Sequence, residues 1–143
     1  MIQKFFSQKN TGFTIIETLV AISIFTTSIL VLLAVLTQGI SNTSYAKKKI
    51  IAGYLAQEGI ECIRNTRDNY ILYAGHTWAD FKSISVANIF CPNINPSFVR
   101  TLGIIEVIPS NPDEVKIFSK VEWTQGSGNY NITFSENLFN WVQ

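Results

Sequence analysis

The chain has 143 residues, of which 47% are hydrophobic and 15% are charged, and its formal net charge at pH 7 is +1. Soluble domains carry about 25% charged residues, so this apolar composition excludes a disordered chain, and the length excludes a multidomain enzyme. The small net charge argues against a nucleic-acid binder driven by phosphate contacts. The missing charge is local, because residues 12–42 contain one ionisable side chain, Glu17. Such a gap is not typical of a cytosolic globular protein.

The first third of the chain is a basic leader followed by a long apolar run. Residues 1–12 contain Lys4 and Lys9 and no acid, and residues 13–36 are apolar apart from one carboxylate. As a helix, this run would be roughly 36 Å long, enough to cross a ~30 Å hydrocarbon core. A signal peptide has only ~7–15 apolar residues, with its cleavage site after them. Here the candidate cleavage residue, Gly12, precedes the run, so we expect residues 13–36 to remain as a transmembrane helix.

The charges beside the apolar run give two signals about its orientation. The basic leader predicts a cytoplasmic N-terminus and an extracytoplasmic C-terminal domain. A second basic cluster, Lys47, Lys48 and Lys49, follows the run by about ten residues. Because the rule counts Lys and Arg on both flanks, this cluster weakens the prediction.

Glu17 is the most informative residue, because a carboxylate inside an apolar segment is energetically costly. One interpretation is that Glu17 lies near the interface and reaches water. The other is that it neutralises an amine in a low-dielectric environment. Glu17 follows Phe13 by four residues and so shares its helical face. After cleavage at Gly12, Phe13 would carry a free α-amino group, and that amine or one from a neighbouring chain could be the partner.

The segment from Lys9 to Ile22, KNTGFTIIETLVAI, closely resembles the cleavage and methylation motif of type IV prepilins and pseudopilins. The likeness lies in the basic leader ending in Gly12, the Phe13 and Glu17 that follow, and the apolar run. Major pilins usually have a proline where this chain has Ala34, so the chain is more similar to minor subunits. The segment Leu55–Asp68 and the C-terminal Trp123 and Trp141 region also resemble PilV-type minor pilins and minor pseudopilins of type II secretion.

The resemblance implies that a membrane prepilin peptidase cuts between Gly12 and Phe13 and N-methylates Phe13. It further implies that Glu17 guides subunit assembly by pairing with the amine of an adjacent subunit. The expected partners are the peptidase, other pilin or pseudopilin subunits, an inner-membrane assembly platform and membrane lipid, with no nucleic acid predicted. The expected location is the cytoplasmic membrane, with a single pass, and then a pilus or pseudopilus.

The rest of the chain predicts an α+β, pilin-like fold. Residues 37–68 continue the helix amphipathically, with one apolar side formed by Ile51, Leu55, Gly59, Cys62 and Ile63. A helix from residue 13 to about residue 67 would be roughly 80 Å long, and a domain of this size could not bury it. Residues 69–143 form the C-terminal domain. Its predicted antiparallel sheet has a short strand at 83–91, an apolar run at 99–108, and clear strands at 115–123 and 130–135.

Within the helix, Gly53 and Gly59 suggest close approach of the sheet or of another subunit, and Arg64 can pair with Glu61 and Asp68. Cys62 and Cys91 admit a disulfide if the domain is extracytoplasmic, but Cys62 also fits as a small buried apolar residue.

No residue pattern supports catalysis, a cofactor or a metal. The lone His76 is more typical of a structural role, and the two acids Asp113 and Glu114 are too few for a calcium site. We therefore expect a structural filament subunit and not an enzyme. The alternative is a single-pass, membrane-anchored extracytoplasmic binding protein that does not assemble. The machine involved — adhesion, twitching, secretion or DNA uptake — stays open at this point.

Overall fold

The structure is a computed structural model that describes residues 12–92, 95–106 and 111–141. It divides into two compact units, the first ending at Thr43 and the second beginning at Ser44. The helices and strands, in chain order, are α1 (Ile15–Asp68), a π-helical turn (Asn69–Tyr73), α2 (Trp78–Lys82), a 3-10 turn (Val86–Asn88), β1 (Phe98–Glu106), β2 (Glu114–Gln125) and β3 (Gly128–Phe139). The fold is thus α+β, with one long apolar N-terminal helix packed on a small antiparallel sheet.

The first unit consists of the apolar part of α1. The hydroxyl of Thr14, just before the helix, accepts a hydrogen bond from the backbone N–H of Glu17 at 3.3 Å. The same N–H also donates to the Thr14 carbonyl at 3.1 Å, so Thr14 contacts the first turn through both its hydroxyl and its carbonyl. Of the described residues, α1 and its π-helical extension form the one helix long and apolar enough to cross a membrane, and its most apolar stretch is entirely unburied.

The second unit contains a three-stranded antiparallel sheet in the order β1-β2-β3. Trp123 of β2 lies opposite Phe98 of β1 and opposite Tyr130 of β3, which fixes the register of both pairs. The β2–β3 connection is a two-residue turn in which Gly126 has a φ of +58°. Glycine adopts this conformation without the steric cost of a Cβ, as the first position of a type II′ hairpin turn requires.

The alternation of β2 decides which face of the sheet is buried. Val115, Ile117, Val121 and Trp123 are buried, while the lysines and glutamate between them point to the other face. The predicted half-buried strand over 115–123 is therefore confirmed, and β2 extends it at both ends. The sheet buries this face against the part of α1 that belongs to the second unit.

The buried face of α1 is rotated slightly from the predicted one. Its buried residues are Ala52, Ala56, Gly59, Ile60 and Ile63. Ile51, Leu55 and Cys62, which were expected on this apolar side, are only half-buried. The small alanines face the large rings of Phe98 and Trp123 in one core cluster, whereas the isoleucines pack with Trp78 and Phe81 in the other. Small side chains let the helix approach bulky strand residues closely.

The two helix glycines differ in their surroundings. A Cβ on Gly59 would lie 2.2 Å from the Ser119 hydroxyl and 2.8 Å from Leu102 Cδ2, so the helix touches the sheet there. A Cβ on Gly53 would meet nothing within 4 Å. The expected close approach to the sheet thus applies to Gly59 and not to Gly53.

The predicted strand at 83–91 is wrong. This segment contains the C-terminal cap of α2 and the 3-10 turn. The Ser85 hydroxyl accepts a hydrogen bond from the N–H of Ala87, which favours a turn over an extended backbone. Ile89 is buried against the core although the segment pairs with no described strand. The apolar run at 99–108 corresponds to β1, but residues 107–110, including the predicted turn at Pro109, lie outside the described residues.

The glycine contacts predict opposite effects of two matched substitutions. Gly59→Ala forces a Cβ into Ser119 and Leu102 and should lower the free energy of unfolding by about 1–3 kcal/mol. Gly53→Ala fills open space and should raise it by up to ~1 kcal/mol through helix propensity. Urea unfolding followed by tryptophan fluorescence measures both. Equal shifts for the two variants would contradict the close approach, and Ser119→Ala should partly rescue Gly59→Ala.

Candidate functional site

The residues of the predicted processing motif surround the start of α1. Gly12 and Phe13 precede the helix, and the Phe13 side chain is 82% exposed. Glu17 lies in the first helical turn, where the helix dipole favours a negative charge. Residues 12–14 precede the first residue of α1, Ile15, so the Gly12–Phe13 bond is outside the hydrogen-bonded helix. The segment before Gly12 lies outside the described residues.

The hydroxyl groups in the apolar part of α1 are all engaged within the helix. Thr18, Ser23, Thr26, Thr27 and Ser28 each donate to a backbone carbonyl three or four residues earlier, at 2.8–3.0 Å. In hydrocarbon every polar group needs an internal partner, because water is absent. The hydroxyl groups of this helix segment therefore need no hydrogen-bond partner from a surrounding apolar phase.

The carboxylate of Glu17 is the exception to this pattern. Among the described residues, no hydrogen bond or ion pair engages its side-chain oxygens. The sequence Thr14-Ile15-Ile16-Glu17 has the spacing of a capping box, in which the glutamate would accept from the Thr14 N–H. The structure shows one half of that box, from the Glu17 N–H to the Thr14 hydroxyl. The Glu17 carboxylate thus remains available to a cationic group from outside the described chain.

The two cysteines form a disulfide in the second unit. Cys62 of α1 and Cys91, which follows the 3-10 turn, are joined with their Cα atoms 5.8 Å apart. The bond closes a loop over a separation of 29 residues and ties the segment after α2 to the helix. Such a loop closure stabilises a fold by about 3 kcal/mol.

A buried arginine also binds the segment that contains Cys91, and the sequence analysis did not identify it. The Arg100 side chain of β1 is only 2% exposed. Its guanidinium donates to the carbonyls of Cys91 and Pro92, at 3.1 and 2.9 Å, and to the Leu55 carbonyl of α1 at 3.2 Å. It also forms a 3.0 Å ion pair with Glu58. One fork of donors therefore joins α1, β1 and the disulfide-bonded loop.

A second arginine links α1 to the edge strand. Arg64 pairs with Glu61 at 2.7 Å, as its spacing predicts, and with Glu136 of β3. The expected pair with Asp68 does not form, because Asp68 binds Arg67 at 2.8 Å while Arg64 turns toward the sheet. The hydrogen bond with Glu136 raises the pKa of the Arg64 guanidinium. These three charges border a groove of about 710 Å³ between α1 and β3.

The remaining candidate polar residues have structural partners. The His76 ring stacks on Tyr70 with centroids 4.0 Å apart. Asp113 accepts from the Asn140 amide at 3.1 Å, and Glu114 accepts from Asn137 at 2.7 Å. Within the described ranges, no group of three or more His, Cys, Asp or Glu side chains is arranged to hold a metal ion.

Comparisons of the chain with models of known protein families, with curated proteins and with solved structures find no significant match.

Loss of the Arg100 side chain should unfold the second unit much more readily. Arg100→Met leaves Glu58 unpaired and removes donors from two loop carbonyls, at an expected cost of about 3 kcal/mol in the free energy of unfolding. Lys120→Met, which removes the exposed Lys120–Glu122 pair, is the control and should cost under ~1 kcal/mol. Chemical unfolding followed by the fluorescence of the buried Trp78 and Trp123 measures the free energy of unfolding of both variants. Similar losses for both variants would disprove the role of Arg100.

Proposed function

We propose that this protein is a structural filament subunit, a minor pilin or pseudopilin, that a prepilin peptidase processes after Gly12. The mature chain is inserted in the cytoplasmic membrane through residues 13–36, with its C-terminal domain extracytoplasmic. It is then assembled into a type IV pilus or a type II secretion-like pseudopilus. Its partners are other subunits and the inner-membrane assembly platform, and Phe13 is N-methylated at its new terminus.

The observation that carries the proposal is the combination of an uncovered apolar helix and one unpartnered carboxylate. Phe13, Ile15 and Ile16 are 73–87% exposed, and the apolar residues after them are also exposed within the chain. Apolar surface of this extent needs lipid or other protein to cover it. Lipid alone would suit the engaged hydroxyls, but a Glu17 carboxylate held in hydrocarbon would lack a cation. A neighbouring subunit that supplies the α-amino group of its own Phe13 covers the helix and neutralises Glu17.

The C-terminal domain supports the extracytoplasmic part of the proposal. The Cys62–Cys91 disulfide is typical of proteins that fold outside the reducing cytosol. Together with the buried Arg100, it ties the segment before β1 to the second part of α1. That arrangement suits a subunit whose apolar helix segment packs into a filament core while its domain lies outside that core.

The alternative function is a membrane-anchored binding protein that does not assemble. The groove between α1 and β3 favours it, because its volume of about 710 Å³ lies in the range of small-molecule sites. Arg64 and Glu136 in its wall already pair with each other, however, which leaves little unsatisfied charge for a ligand. In this alternative Glu17 has no role, so a Glu17 variant separates the two functions.

Glu17→Ala should abolish incorporation into filaments without affecting cleavage. The variant loses the carboxylate that pairs with the neighbouring amine, while the Gly12–Phe13 bond is unchanged. Immunoblots of sheared filaments and of membranes measure incorporation and processing separately. Thr18→Ala, which removes a hydroxyl that is already engaged within the helix, is the control and should assemble normally. Normal assembly of the Glu17 variant would refute the proposed mechanism.

Gly12→Leu should block cleavage, which Glu17→Ala leaves unaffected. A bulky side chain on the leader side of the cleaved bond should block the peptidase, so the chain would accumulate with its leader attached. Gel mobility and N-terminal sequencing of the membrane fraction measure this, with Glu17→Ala as the processed control. A terminus at Phe13 in Gly12→Leu would rule out the proposed cleavage.

A further inference from the structure

Three consecutive lysines have no place in the assembly mechanism described above. Lys47, Lys48 and Lys49 are the only charged side chains between Glu17 and Glu58. They lie on the first turns of α1 within the second unit. Among the described residues, none of the ion pairs involves them. Their three positive charges are therefore not neutralised by a carboxylate in the described parts of the chain.

The middle lysine contacts the sheet, whereas within the described ranges no hydrogen bond or ion pair involves Lys47 or Lys49. Lys48 donates to the backbone carbonyl of Thr124 at 3.0 Å and so ties α1 to the end of β2. Consecutive helical residues are about 100° apart, so Lys47 and Lys49 project on either side of this contact. Both side chains are exposed.

Aromatic side chains lie on the same side of the helix as Lys48. Tyr45 is one turn before Lys48, and its ring is 5.0 Å from that of Tyr130 and 6.4 Å from that of Trp123. The Tyr130 side chain is 37% exposed. Tyrosine and tryptophan are enriched where proteins meet the headgroup layer of a membrane, because they have an apolar body and a polar tip. Trp123 itself is buried, so Tyr45 and Tyr130 are the partly exposed aromatic residues of this group, and Lys47 and Lys49 flank them.

We propose that Lys47 and Lys49 bind the phosphate groups of anionic phospholipids at the surface of the membrane that residues 13–36 span. This inference rests on the membrane insertion in the proposed function. Only ten residues connect the apolar run to Lys47, and these contain no acid. Along a helix, Lys47 and Lys49 are therefore within about 20 Å of the end of the apolar run, and their long side chains extend this reach. Their local concentration at the lipid is therefore high, and weak individual contacts are enough.

The strength of this contact follows from ordinary membrane electrostatics. Each lysine near an anionic surface favours the engaged state by about five-fold, and the effect is screened by salt within a Debye length. Two lysines acting together favour engagement by roughly 25-fold. The orientation rule disfavours lysines on the extracytoplasmic side of a membrane helix. A contact with the outer lipid surface after insertion would give this basic cluster a role there.

The test uses the full-length chain in lipid nanodiscs of two compositions, phosphatidylcholine alone and phosphatidylcholine with about one-third phosphatidylglycerol. A water-soluble acetylating reagent labels lysines, and mass spectrometry gives the rate at each site. We expect Lys47 and Lys49 to react about three- to five-fold more slowly in the anionic discs, and high salt to remove the difference. Lys116, exposed on the outer face of β2, is the internal control and should react equally in both.

Two variants sharpen the test. Lys47→Gln should reduce the protection of Lys49, because the two charges act together, whereas Lys116→Gln should leave it unchanged. Equal rates in both disc types overturn the proposal, as does protection that depends on protein concentration but not on lipid charge, which would indicate a protein partner. A chain that fails to remain with the discs overturns both the insertion and the lipid contact. An inserted chain with unprotected lysines overturns the lipid contact alone.

Discussion

The apolar part of α1 has no cover within the described chain, and this decides what the first unit needs from its surroundings. Its large side chains are exposed, and its hydroxyls are bonded to its own carbonyls. A helix of this kind is compatible with lipid over nearly its whole surface. The Glu17 carboxylate has no partner among the described residues, and in hydrocarbon it would need a cation. This requirement connects the composition of the sequence to the proposal of assembly between subunits.

In the second unit, a small sheet is fixed to one helix by a small number of contacts. Its sheet has three strands, and the helix covers one face of it with small residues at Ala52, Ala56 and Gly59. The segment between α2 and β1 has little regular structure of its own. The disulfide to Cys62 and the four hydrogen bonds of Arg100 hold that segment against α1. A domain of modest core size gains much of its rigidity from these few strong contacts.

Sequence patterns predicted the features that depend on residues close together in the chain. The alternation of Val115 to Trp123 predicted β2 and its buried face, and the glycines after Gln125 predicted the hairpin turn. The contacts of Arg100 could not be predicted, because its partners lie 8 to 45 residues away in sequence and include backbone carbonyls. The segment 83–91 was mistaken for a strand because its apolar spacing fits a strand and a capped turn equally well. Of the candidate site, the position of Glu17 in the first helical turn followed from the sequence, whereas its lack of a partner required the structure.

If the chain is processed as we propose, the apolar helix becomes the N-terminus of the mature subunit. Intact mass and N-terminal sequencing of the protein isolated from membranes test this most directly. We expect a chain that begins at Phe13 and carries a methyl group on its α-amino nitrogen. A chain that retains Met1 and the residues up to Gly12 would contradict it.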